Sequence, residues 1–228
     1  MATSGTNSFT LDLGDIIEEA YERTGAEFRG GYQYKTARRS LDLLMLEWQN
    51  RGLNLWTVKN ASQNLTSGTA SYPLTGEKLD IIEAVLRQNT GSADQSDLTM
   101  RRVSVSEYSH ITNKLTQGRP IQFFVDQSSS GITLTVWPVP DQAYTINYYY
   151  LDRIEDSGKP ASNTVDMPVR YLPCLVAGLA YYLALKTPET APMVPALKAV
   201  YDEQWSLAAD ASREKASLFI QPGGYNIV

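Results

Sequence analysis

The sequence predicts an α+β protein: a helical bundle from N- and C-terminal helix pairs, with an inserted antiparallel β block and an extended C-terminal tail. Three observations predict it. Apolar residues recur with a helical period at both ends of the chain, and that period changes to two between about Leu55 and Leu151. Beyond Ser217 neither period holds. The expected division is therefore 1–54 with 165–217 as the bundle, 55–164 as the β domain and 218–228 as the tail.

The first helix is expected from Phe9 to Arg23, capped by Thr10 or Asp12. Leu13, Ile16, Ile17, Ala20 and Tyr21 form its apolar side. Asp15, Glu18, Glu19 and Glu22 lie opposite and read as a solvated face. Gly25 to Gly31 turns the chain; Gly30-Gly31 follows no strand and precedes no Gly-Lys-Ser/Thr, so it is not a phosphate loop. A second helix, Tyr34 to Arg51, carries Ala37, Leu41, Leu44, Met45 and Trp48 on one stripe and closes at Gly52. Lys35, Arg38 and Arg39 cluster in its first turns, either as a solvated face or as a contact with nucleic acid or an acidic neighbouring subunit.

Leu55–Leu65 and Thr69–Leu74 flank Thr66-Ser67-Gly68 and predict a hairpin. Further strands are expected at Ile81–Gln88, Leu98–Val103, Ile121–Asp126, Ile132–Trp137 and Tyr144–Leu151. Ser104 to Thr112 predicts a short helix capped by Ser104 or Ser106, and it holds the only histidine, His110. Asp156–Asn163 leads back to the helices, with Pro168 suited to a first helical position. Tyr171 to Leu185 is apolar on nearly all sides, so it should be buried on nearly all sides. Pro188 and Pro192 break it. The last helix, Met193 to Ala216, bears Val194, Leu197, Tyr201, Trp205 and Ala208 on one stripe. The tail is apolar, and Pro222, Gly223 and Gly224 keep it extended, so it is expected to lie in a groove of its own chain or of a partner.

Composition narrows the function. With 43% apolar and 20% charged residues the chain can bury a core. A net charge of -5 argues against tight nucleic-acid binding, which draws its affinity from basic groups that release phosphate counterions. The N-terminal residues lack a basic and an apolar signal region, and the apolar helix is too short to span a bilayer. A protein made in the cytoplasm, without membrane contact, is expected. Cys174, the single cysteine, reads as a buried inert thiol, because His110 is far away in sequence and no second ligand completes a metal site. No catalytic residue, cofactor or metal is expected. Tyr144, Tyr148, Tyr149 and Tyr150 offer a stacking platform for sugars or bases, or aromatic packing within a sheet.

Four runs resemble a known family. They are Leu43-Leu-Met-Leu-Glu-Trp-Gln-Asn-Arg-Gly-Leu-Asn-Leu-Trp56, Asp166 through Lys186, Leu197-Lys-Ala-Val-Tyr-Asp-Glu-Gln-Trp205 and Asp210 through Ser217. Together they resemble the head-to-tail adaptors of short-tailed bacteriophages, also called connectors, tail tubular protein A or packaged-DNA stabilisation proteins. The resemblance implies a structural virion protein forming a ring, usually a dodecamer, beneath the portal protein. Such a ring extends the DNA channel, retains packaged DNA and provides the platform for the tail nozzle protein. Double-stranded DNA would pass through it without sequence-specific binding. On this reading Leu218, Phe219, Ile220, Pro222, Tyr225 and Ile227 dock on the portal, and Lys35, Arg38 and Arg39 contact a neighbouring subunit or face the channel. The competing classes are a virion-borne cell-wall glycosidase and a β module that binds sugar or nucleic acid through its tyrosines. A glycosidase needs two carboxylates across a cleft, one with a raised pKa, and the sequence isolates no such pair.

Overall fold

Asp12 and Asp15 decide where the first helix begins. The Asp15 N–H donates to the Asp12 carboxylate at 2.9 Å, and the Asp12 N–H donates to that of Asp15 at 3.2 Å. This reciprocal cap satisfies two N–H groups that a helix start leaves unpaired. Helix α1 accordingly spans Leu13–Thr24 and starts later than the expected Phe9. The computed structural model of the chain describes residues 5, 9, 11–27, 30–52, 55–129, 131–158 and 163–212. The tail residues 218–228 lie outside that set.

Helix α2 spans Gly31–Asn50, three residues longer at its start than the apolar pattern indicated. Gly52 follows it with φ +81°, a left-handed conformation that costs glycine little, and its N–H reaches the Gln49 carbonyl at 3.1 Å. Near the other end of the chain, beyond the short α3 (Val105–Ser109), a 3-10 turn at Val169–Tyr171 leads into α4, Leu172–Ala184. Pro168 caps that turn instead of opening a helix. A second 3-10 segment, Pro188–Met193, precedes α5, Val194–Ala211. The four long helices share one core. Helix α4 touches α1, α2 and α5, and Leu175, Leu179 and Ala180 are fully buried, as its all-round apolar surface requires.

Among the described residues, ten short strands lie between the helix pairs. The first sheet orders β1 (Val58–Leu65), β10 (Tyr144–Asp152), β3 (Lys78–Gln88) and β4 (Ser96–Thr99). The second orders β2 (Ser71–Leu74), β8 (Gly131–Trp137), β7 (Gln122–Ser128) and β5 (Arg101–Arg102). A two-residue bridge joins β6 (Gln117–Gly118) to β9 (Val139–Pro140). Helix α3 is the short piece Val105–Ser109, capped by Ser104. Leu65, Ile81, Leu86 and Ile146 of the first sheet bury themselves against Tyr72, Phe123, Leu134 and Val136 of the second, in a core separate from the helical one.

Three expectations are corrected. The segments around Thr66-Ser67-Gly68 do not form a hairpin: β1 pairs with β10 and β2 with β8, so the turn arches from one sheet to the other. The hydroxyl of Tyr72 holds that arch, accepting from the Thr66 N–H at 2.9 Å and lying 2.7 Å from the Thr69 carbonyl. The expected strand Leu98–Val103 is two strands, split at Met100. The Met100 N–H bonds Ala84 of the first sheet, while the next N–H, Arg101, bonds Ile121 on the way into the second. The block is also not wholly antiparallel, because β5 with β7 and β6 with β9 run parallel.

The block meets the helices where it begins and ends. Val58 of β1 pairs directly with Leu151 of β10. The Asp42 carboxylate on α2 accepts the Ser157 N–H at 3.0 Å and its hydroxyl at 2.7 Å. The Trp56 N–H donates to the Asp166 carbonyl at 3.0 Å, with its ring 4.8 Å from that of Tyr171.

Candidate functional site

Chemistry-bearing groups are scattered. Cys174 is buried in the helical core, and desolvation pushes its thiol up to about 12, so almost no thiolate forms at neutral pH. His110 is exposed at the end of α3, with Nδ1 2.6 Å from the Ser106 carbonyl. Among the described residues, no three or more His, Cys, Asp or Glu side chains are placed to hold a metal ion. Tyr144 and Tyr148 pack into the β core, and Tyr148 and Tyr150 have ring centroids 5.8 Å apart. Tyr149 faces solvent, 53% exposed, so the four tyrosines do not share one stacking face.

Two concave regions stand out. A cleft of about 540 Å³ lies between α2 and the end of β10, lined by Asp42, Met45, Leu46, Glu77 and residues 152–156. Three of its acids have structural partners: Asp42 takes Ser157, Glu77 the Arg153 guanidinium at 2.6 Å, and Asp152 the Lys59 ammonium at 2.7 Å. The second is an open groove between α1 and the start of α4. Phe9, Leu11, Val169, Leu172 and Val176 line it, and Asp15, Glu18, Glu19 and Glu22 rim it.

The larger features are exposed helix faces. Helix α2 turns Ala37, Leu41, Leu44 and Trp48 inward. Its outer side carries Tyr32 (80% exposed), Leu43 (56%) and Leu46 (47%), with exposed Lys35 and Arg39 on the same stripe. Of the three expected basic contacts, Lys35 and Arg39 are therefore on one outer face. Arg38 is not; its guanidinium donates to the Gly158 carbonyl at 2.8 Å and ties α2 to the chain that follows the β block. Lys186 lies near the same end of α2, 2.6 Å from the Ser40 hydroxyl. Burial and then the Arg39 charge hold its ammonium below the usual lysine range. Helix α5 buries Leu197, Tyr201 and Ala208, yet its outer side shows Val200 (44%) and Leu207 (59%), in line with its exposed cap residue Met193 (45%). These three recur at seven-residue spacing, a signal visible in the sequence but masked there by the inward stripe.

Exposed apolar rows on two helices suit a protein that works by contact, and the family comparison agrees. The family model described as SU10 adaptor protein matches residues 3–221. The chain belongs to the SU10 adaptor protein family. It is thus a structural adaptor of a bacteriophage virion, of the head-to-tail kind that short-tailed phages carry. A comparison with curated proteins finds no match. For an adaptor, the outer faces of α2 and α5 and the groove beside α1 are the candidate assembly surfaces. The tail residues Leu218, Phe219, Ile220, Pro222, Tyr225 and Ile227 lie outside the described residues. No described helix is long and apolar enough to cross a membrane.

Proposed function

We propose that this adaptor forms a dodecameric ring beneath the portal protein, extends the DNA channel, retains packaged DNA and offers the platform for the tail nozzle protein. Membership of the adaptor family over residues 3–221 carries this reading. The net charge of -5 supports it, since a channel that must release DNA quickly should not grip phosphates along its length. The separate helical and β cores support a division into a helical unit, 1–54 with 165–217, and an inserted β unit, 55–164. The tail, 218–228, is the portal anchor: Phe219 and Ile220 would each gain roughly 1.5–3 kcal/mol on burial, before the cost of ordering the chain. One tail binds weakly, and a ring of tails binds through avidity.

Electron microscopy of the purified protein mixed with portal rings tests this. The expected result is a second ring stacked on the portal, absent with a protein lacking Leu218–Val228 that remains a folded monomer. Full occupancy by the truncated protein at low concentration overturns the anchor, and failure of the intact protein to join any portal overturns the reading.

A further inference from the structure

The outer faces of α2 and α5 are complementary in shape of sequence and in charge. Along α2 the outward residues are Tyr32, Lys35, Arg39, Leu43 and Leu46; along α5, counted from its cap residue Met193, they are Met193, Ala196, Val200, Glu203 and Leu207. Both rows follow the alternating three- and four-residue steps that keep side chains on one seam. Lys35, Arg39 and Glu203 form no salt bridge among the described residues. Laid antiparallel, with Leu43 against Val200, the rows put Leu46 beside Ala196 and Arg39 beside Glu203.

We propose that α2 of one copy docks antiparallel on α5 of the next copy through these rows, so that the ring closes by this contact. The inference rests on the ring-forming reading and names the faces that build it. Self-pairing is disfavoured on both sides. Two α2 faces laid antiparallel set Lys35 and Arg39 against Leu46 and Leu43 with no counterion, and two α5 faces leave Glu203 without a cation. Covering a charge in an apolar contact without a partner is costly. The unlike pairing sets Leu43 against Val200 and gives Arg39 the counterion Glu203, while Lys35 falls beside Leu207 near the end of the contact. A contact between two different faces of the same chain repeats from copy to copy, and it makes a ring when the rotation closes.

The test uses virions carrying the variants. With Leu43→Cys and Val200→Cys in one chain, a short bis-maleimide should give a ladder of covalent multimers on a denaturing gel. Cys174 is 2% exposed and stays silent. Arg39→Glu or Glu203→Arg alone should lower incorporation about tenfold, and the two together should restore it to within about twofold, because opposite charges face each other again. A monomer band from normally filled virions, or single reversals without effect, overturns the α2–α5 contact and leaves the adaptor role standing. Covalent capture of the portal in place of a second copy assigns these faces to the portal and also overturns it. Absence of the unaltered protein from virions overturns the adaptor role itself.

Discussion

Gly178 sits where α4 packs against α2 and α5. A Cβ built there would lie 2.8 Å from the Tyr201 ring and 2.9 Å from a Leu44 methyl carbon. Neither neighbour has room to move. Leu44 is fully buried, and the Tyr201 hydroxyl accepts the Trp48 indole N–H at 3.0 Å. Alanine normally improves a helix interior over glycine by about 0.8–1 kcal/mol. Here overpacking, at roughly 1–3 kcal/mol, should outweigh that gain. Gly178→Ala is expected to lower the urea midpoint, and an unchanged or raised midpoint would show that the crowding is not real. Cys174 gives a second check in the same core. Its folded pKa is raised, so the unfolded chain loses this proton first, from about pH 8.5 upward. The stabilising contribution is complete below that pH and declines as pH rises toward about 12. Cys174→Ala should flatten the alkaline part of a stability–pH curve, and Cys174 in the folded protein should resist thiol reagents until denaturant is added.

At the scale of elements, the sequence discloses kinds better than partners. The helix stripes of Leu13–Tyr21 and Ala37–Trp48 face the core as their period requires, because burial follows directly from a 3.6-residue repeat. Strand positions also follow from the two-residue period. Pairing does not, since a strand pattern says which face is buried but not which strand lies alongside. Residues 66–70 therefore look like a hairpin turn. The dipeptides that mark a two-residue hairpin, such as Asn-Gly, are absent there, and the buried Leu65 and Tyr72 lie on opposite sheets of one core. Removing the clamp should weaken this arch specifically: Tyr72→Phe deprives the Thr66 N–H of its acceptor and should cost about 1–3 kcal/mol. Hydrogen exchange should rise first at Thr66 and Thr69. Uniform change across the β core would contradict a local clamp.

For the whole molecule, the helical period at both ends shows that the chain leaves the helices and returns to them. The candidate assembly faces were less legible. Helix α5 is apolar on two sides, and a single stripe drawn through Leu197, Tyr201 and Ala208 leaves Met193, Val200 and Leu207 looking incidental. Of the basic cluster, only a three-dimensional view separates Arg38, spent on a carbonyl, from Lys35 and Arg39. The proposed division into two units makes its own prediction. Since Val58 and Leu151 are paired neighbours, roughly 5 Å apart as antiparallel partners are, the ends of the β block almost meet. Replacing Val58–Asp152 by a short Gly/Ser linker should leave a helical protein that melts cooperatively with Trp48 still buried. A molten or aggregated product would mean that the helices need the β block to fold.

Residue 100 and the arch at 66–70 close opposite margins of the β block, for β4 and β5 are the last strands on one side and β1 and β2 on the other. Two sheets that merely pack can slide past each other by repacking side chains. Here any such slip stretches covalent backbone at both margins. The place where the block joins the helices is different, because tension drawing Val58 away from Leu151 would open the β1–β10 ladder one bond at a time. Under load the block should therefore give by unzipping at its base, while its two seams hold their spacing like the rims of a flattened hoop.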